Sequence, residues 1–293
     1  MDVCNQCPRE CCVDRRNGEI GFCRMPYNPV VARAALHMWE EPCISGKNGS
    51  GTIFFSGCSL KCVYCQNYEI SHEDFGKEIT QEKLVAIINE LIGKGAHNIN
   101  FVNPTHYSHT IIDVLQNNRL PVPVVYNCSG YEKVETLKSL EGLVDIYLTD
   151  LKYYSSEVSQ KYSLCRDYFQ VAKQAIFEMK RQLPEDVFSP DGMMKKGVII
   201  RHLVLPGNLS QTERILSFIS NELPGDTVVS LMSQYTPCGE SGKFPELSRR
   251  LTKREYERAA DYLYYSGIEN GFIQEISSSS ETYIPKFNLE GVL

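Results

Sequence analysis

TIFFSGCSLKCVYCQN, residues 52–67, carries two signals back to back. A short run of β-branched and aromatic side chains ends at Gly57, which is the pattern of a strand. Directly behind it Cys58, Cys62 and Cys65 stand at C-x3-C-x2-C. Three thiolates on a tight loop suit three irons of a cubane [4Fe–4S] cluster with the fourth iron left open, whereas a structural zinc asks for four protein ligands. The loop follows a first strand, the position where parallel α/β folds keep their ligands.

Outward from this stretch the chain alternates. Residues 80–93 set Leu84, Ile87, Ile88, Leu91 and Ile92 at helical spacing and stop at Gly93 and Gly95. NINFVNP (98–104), PVVYN (123–127) and VDIYLTDLK (144–152) read as strands, with helices over HTIIDVLQNN (109–118) and YEKVETLKSL (131–140) between them. Helical stretches around 155–163 and 167–182 follow, and SPDGMMKKG (189–197) reads as a turn or hairpin leading into GVIIRHLVL (197–205). SQTERILSFISNEL (210–223) is helical with Ser210 as its N-cap, TVVSLMSQY (227–235) is a sixth strand, and TKREYERAADYLYYSG (252–267) a last helix closed by Gly267. Six strands separated by helices mean parallel βαβ units. An open doubly wound sheet and a partial barrel both satisfy this periodicity.

Composition narrows the class. The 293 residues carry 30 Lys+Arg against 36 Asp+Glu, a net charge of −6 that argues against a general nucleic-acid or anionic-membrane binder. Nine of the 12 cysteines fall within the first 65 residues; the others are Cys128, Cys165 and Cys238. Disulfide scaffolds belong mostly to short secreted chains, and this chain is long enough to bury an ordinary core. Its first stretch holds Asp2, Arg9, Asp14, Arg15 and Arg16 in place of an apolar secretory run, and no apolar run is long enough to span a bilayer. The expectation is a cytoplasmic protein whose cysteines serve as thiolate ligands. GKNGSGT (46–52) lacks the G-K-[ST] order of a phosphate loop and reads as a turn into the first strand.

Cys58, Cys62 and Cys65, with aromatic Tyr64 before the last, resemble the signature of the radical S-adenosylmethionine (SAM) superfamily. HMWEEPCISG (37–46), GSGTIFFSGC (49–58), VNPTH (102–106), YNCSGYE (126–132), DLK (150–152) and RHLVLPG (201–207) together resemble a branch related to pyruvate formate-lyase activating enzymes. The resemblance implies a partial (β/α)6 TIM-type barrel of parallel strands behind an N-terminal cysteine-rich segment. It also implies a cluster whose open iron chelates the SAM amino and carboxylate groups, reductive cleavage to a 5′-deoxyadenosyl radical, and hydrogen abstraction from substrate. A one-electron donor such as flavodoxin or ferredoxin goes with that chemistry. The substrate implied is a backbone glycine of a glycyl radical enzyme. Radical modification of a small molecule or peptide is the alternative within enzymes, and an iron–sulfur or zinc electron-transfer or binding protein the alternative outside them.

The strand ends supply the remaining candidates. The family's Gly-Gly-Glu-Pro-like stretch after the second strand is replaced by Asn103, Pro104, Thr105 and His106, so recognition of the SAM amino group falls to Asn103, Thr105 or backbone carbonyls, and His106 reads equally as a loop histidine. Asn127 and Ser129 occupy the position that contacts the ribose in relatives, though Ser129 also suits a helix cap. Asp150 and Lys152 alternate around Leu151 and share one face, with Lys152 suited to a carboxylate. Arg201 resembles the family's fifth-strand SAM contact, and Gln234 and Tyr235 could line the adenine side. His37, Glu40 and Glu41 lie just before the core and could reach the substrate opening, but read first as the end of a surface helix. Cys4, Cys7, Cys11 and Cys23, at C-x2-C-x3-C-x11-C, form a four-thiolate site for zinc or a second iron–sulfur cluster, with Cys12 as a substitute for Cys11. The expected organisation is a metal-binding segment over 1–48, the barrel over 49–240, and a helix and tail over 241–293.

Overall fold

The computed structural model describes residues 3–275 and 285–293. Its strands are β1 (Val30–His37), β2 (Ser50–Phe55), β3 (Lys77–Glu78), β4 (Ile99–Val102), β5 (Val124–Cys128), β6 (Ile146–Asp150), β7 (Val187–Phe188), β8 (Met194–Leu203), β9 (Val228–Met232) and β10 (Gly271–Ile273). The helices are α1 (Pro42–Ser45), α2 (Tyr68–His72), α3 (Gln81–Gly93), α4 (Ser108–Asn117), α5 (Val134–Ser139), α6 (Ser156–Ser163), α7 (Tyr168–Gln182), α8 (Leu209–Glu222) and α9 (Lys253–Tyr265). Sheet order is β10-β9-β8-β6-β5-β4-β2-β1-β3, with β7 paired to β8.

The six strands read from the sequence are β2, β4, β5, β6, β8 and β9, and each pairs in parallel with its neighbour. Helices link each to the next, and α9 then leads to β10, a seventh parallel strand beside β9. The parallel strands lie in chain order with no reversal, which is the order of a TIM-type barrel and not of a doubly wound sheet, and the sheet has two ends, so the barrel is partial. Val187–Phe188 pairs antiparallel with the start of β8, making the hairpin that SPDGMMKKG predicts. Ser210 is not a cap: α8 begins at Leu209 and has no side-chain cap. Ser129 caps no helix either; its hydroxyl accepts from Tyr131 N and α5 begins only at Val134. Thr252 and Glu255 form a capping box that starts α9.

Alternation along the strands fills two cores. Tyr126, Tyr147, Val198 and Ile200 pack outward against the helices. Val125, Ile146, Leu148, Ile199 and Val228 point inward, where they meet Cys43 and Ile44 of α1. This contact follows from β1, an element the sequence reading did not place. It runs antiparallel to β2 with His37 opposite Ser50, the first residue of β2, and so delivers residues 38–45 to the amino-terminal opening of the barrel. The C-terminal residues close over β1 through Leu289 N to Ala32 O and Ala34 N to Glu290 O.

Candidate active site

The loop behind β2 is shaped before any ligand is considered. Gly57 has φ +81°, and an added Cβ there would strike Met25 and the Cys23 carbonyl. Lys61 also takes a left-handed backbone, φ +52°, which folds Cys58, Cys62 and Cys65 onto one side. All three line one cavity, together with Asn103, Asn127, Ser129, Asp150, Lys152 and Arg201. Leu60 N donates to Cys58 Sγ at 3.3 Å and Ser163 Oγ to Cys62 Sγ at 3.0 Å, the kind of donors that moderate charge on ligating sulfur. Burial raises the Cys58 thiol, with Cys62 adding to it, and raises Cys65 to about 12. Tyr64 anchors the loop: its hydroxyl donates to Tyr153 Oη at 2.7 Å, and its ring sits among Tyr153, Tyr162 and Tyr235.

Facing the thiols is a charged wall. Lys152 Nζ reaches Asp150 Oδ2 at 2.5 Å, and Arg201 Nε reaches Asp150 Oδ1 at 2.9 Å. The rest of the Arg201 fork is taken by Asn127 Oδ1 at 2.6 Å and Glu40 Oε2 at 3.1 Å. Glu40 Oε1 accepts from Asn100 and Asn127 Nδ2 at 3.2 and 3.1 Å. Burial alone would raise Asp150, but Arg201 and Lys152 outweigh it and hold the carboxyl below its usual value. Burial would likewise lower Arg201, yet Asp150, Glu41 and Glu40 raise it.

His37, Glu40 and Glu41 are therefore not a surface helix end. Glu40 and Glu41 turn into the barrel behind exposed Met38 and Trp39: Glu41 is 7% exposed, and the Glu40 side chain meets partners on three strands. A carboxylate-rich stretch reads as surface because its partners are remote in sequence; Arg201 lies 161 positions away from Glu40. The adjacent signal that could have found them is the Pro42-Cys43-Ile44 turn, whose Cys43 and Ile44 side chains are buried.

Other candidates separate. Asn103, at φ +57°, donates from its side chain to Gly57 O and ties the β4 end to the cysteine loop. Thr105 is turned away, donating to the buried Glu132 at 2.7 Å. His106 is a loop histidine held on Ser56 O at 2.7 Å, and His202 is in the core between Leu151 O and Thr212. Gln234 reaches the cavity wall, whereas the Tyr235 hydroxyl donates to Leu247 O.

The N-terminal segment docks on the same end of the barrel. Arg9 donates to Ser59 O, Ser163 O and Leu164 O, and Lys133 reaches Asn5 and Glu10. Cys7 lies within electrostatic reach of Cys23 and Cys4, and Cys23 of Cys4 and Cys11, with the Arg15 guanidinium beside them; Cys12 is exposed. Burial pushes Cys7 up to about 12. All 12 cysteines are free thiols. Among the described residues no three His, Cys, Asp or Glu side chains are grouped closely enough to ligate a metal ion. No helix of the described residues is long and apolar enough to cross a membrane.

Strand-end thiols on an open parallel barrel define a class, and comparison with known proteins agrees. The Radical SAM superfamily model matches residues 52–219, more than half of the chain, and the chain belongs to that superfamily. It is 36% identical over 267 residues to an uncharacterized protein of Methanocaldococcus jannaschii, covering 88% of this chain and 73% of that one. Among solved structures it is similar to methylornithine synthase, with TM-score 0.49, 14% identity, and coverage of 83% of this chain and 72% of that chain. It is also similar to a domain of pyruvate-formate lyase-activating enzyme from Bacteroides vulgatus, with TM-score 0.41, 12% identity, and coverage of 58% and 92%. Membership makes the protein a radical SAM enzyme and implies a [4Fe–4S] cluster and SAM. The donor chemistry fits: three thiols on one loop share a cavity with hydrogen-bonding and cationic side chains.

Proposed function

We propose that the protein reductively cleaves SAM, with Cys58, Cys62 and Cys65 holding three irons of a [4Fe–4S] cluster. When bound, the reduced cluster supplies the electron that splits SAM to methionine and a 5′-deoxyadenosyl radical, which takes a hydrogen atom from substrate. One observation carries the reading: all three thiols open on a cavity whose far wall is Asp150, Lys152 and Arg201. Lys152, steadied by Asp150, is placed to meet a carboxylate; Asn103, Asn127 and Ser129 offer hydrogen bonds to amino and ribose groups. Arg201 stiffens the wall, because its fork is filled by protein partners. Tyr64 acts through the loop it anchors, and Thr105 acts at one remove, through Glu132.

Cys4, Cys7, Cys11 and Cys23 are the proposed ligands of zinc or a second iron–sulfur cluster that orders the N-terminal segment. An electron carrier such as flavodoxin or ferredoxin supplies reducing equivalents. The motif order quoted above supports a narrower reading, activation of a glycyl radical enzyme. The test is anaerobic reconstitution with iron and sulfide, reduction, and chromatography for 5′-deoxyadenosine. Wild type forms it from SAM; a protein that binds iron through Cys58, Cys62 and Cys65 yet leaves SAM intact contradicts the proposal.

A further inference from the structure

We propose that Glu41 anchors a substrate bearing an alkylammonium group, held in an outer cavity adjoining the cysteine loop. The inference rests on the radical SAM reading, which makes that cavity the place where substrate meets the radical. Two cavities share Asp150, Lys152 and Arg201 as a common wall. The inner one holds all three signature thiols; the outer one continues past Cys62 and Cys65 to Trp39, Glu41 and Phe272.

Glu41 is buried, yet its Oε2 has no hydrogen-bond partner. Such an atom calls for a partner, since desolvating a carboxylate oxygen without replacing its hydrogen bonds is costly. The nearby Arg201 guanidinium acts on Glu41 through its charge, but its hydrogen bonds run to Asp150, Glu40 and Asn127 and none reaches Glu41 Oε2. The Glu41 backbone N–H and the Ser230 hydroxyl lie beside the carboxyl, and Oε2 is the oxygen left to be met. A single open acceptor suits a point donor such as an ammonium better than the two-pronged guanidinium.

The charge balance points the same way. Glu40, Glu41 and Asp150 face the outer cavity against Lys152 and Arg201, and burial holds His37 down to about 4, hence neutral at pH 7. With all three carboxyls ionised the cavity is short of one positive charge, and burial, which raises both Glu40 and Glu41, opposes that state until a cation enters. Phe54, Leu203, Met232 and Phe272 supply apolar wall for a carbon stem. Burial raises the Glu41 carboxyl, and an incoming cation favours its ionised form.

The test uses the reconstituted full-length chain with n-butylammonium as probe, and 1-butanol and butyrate as isosteres, by titration calorimetry with and without SAM. The expected result is saturable binding of n-butylammonium alone, retained with SAM present and weakened at least tenfold in Glu41→Gln. Glu41→Asp keeps the charge and retains part of the affinity. Four results overturn the proposal: no saturable ammonium binding, equal binding of 1-butanol, an unchanged Glu41→Gln affinity (as when a water satisfies Oε2), or displacement by SAM. Should Glu41→Gln fail to fold, the isostere comparison on wild type still decides. 5′-Deoxyadenosine formation is read separately, so failure of SAM cleavage and failure of ammonium binding are distinct outcomes.

Discussion

The two thiol groups use the same chemistry in opposite settings. Cys58, Cys62 and Cys65 sit on a loop fixed by a strand end and two left-handed residues, and they face open space bounded by Lys152 and Arg201. Cys4, Cys7, Cys11 and Cys23 lie on a segment almost without regular structure, tied down by Arg9, Lys133 and the buried Arg15. Burial raises thiols in both. The difference lies in number and surroundings: three thiols beside a cavity leave a coordination position for a reactant, whereas four thiols complete a tetrahedral shell. The first arrangement suits chemistry and the second suits ordering of the chain.

Substitution should separate them most sharply in turnover. Cys58→Ala is expected to lower 5′-deoxyadenosine formation by on the order of 10³-fold or more, while Cys7→Ala keeps it within about tenfold but loses the metal of the N-terminal site. Chromatographic assay and metal analysis read both; a Cys7→Ala enzyme as inactive as Cys58→Ala would erase the contrast. Next in size is the wall beside the first group. Arg201→Met strands buried Glu40, left with its two Asn donors, while Asp150 keeps only Lys152, a loss of about 3–5 kcal/mol by denaturant unfolding. Glu40→Gln keeps one acceptor oxygen but sets an NH2 against Arg201 or the two Asn donors; it leaves Arg201 paired with Asp150 and should cost less than Arg201→Met.

A further effect concerns pH. Behind the Lys152 wall, burial holds His202 down to about 4 against an ordinary 6.5. The unfolded chain then binds the proton first, so stability present above pH 6.5 is lost as pH falls toward 4. His202→Gln should flatten that slope in melting curves taken between those limits. An unchanged slope would mean that His202 has no part in acid sensitivity.

Much of the fold was legible because the strands of a parallel barrel are short apolar runs separated by amphipathic helices. TIFFSG, NINFVNP and VDIYLTDLK each became a central strand at nearly the expected place. The cysteine loop was legible because its three ligand candidates are close in sequence. β1 was hidden in a segment whose cysteines dominated its reading, and its pairing with β2 is a tertiary fact. Glu40 and Glu41 read first as surface for the same reason, since what makes the burial of Glu40 tolerable is Arg201, Asn100 and Asn127 on distant strands. Thr105 shows the reverse error: a strand-end hydroxyl points to a ligand until a buried Glu132 claims it.

The most direct measurement of the central claim is electron–nuclear double resonance on the reduced, reconstituted enzyme with SAM labelled in its amino nitrogen and carboxylate oxygen. Hyperfine coupling of both labels to the cluster is the predicted result, and it should vanish in the Cys58/Cys62/Cys65 triple Ala variant. A reduced cluster held by those three cysteines that shows no coupling to bound SAM would contradict the account.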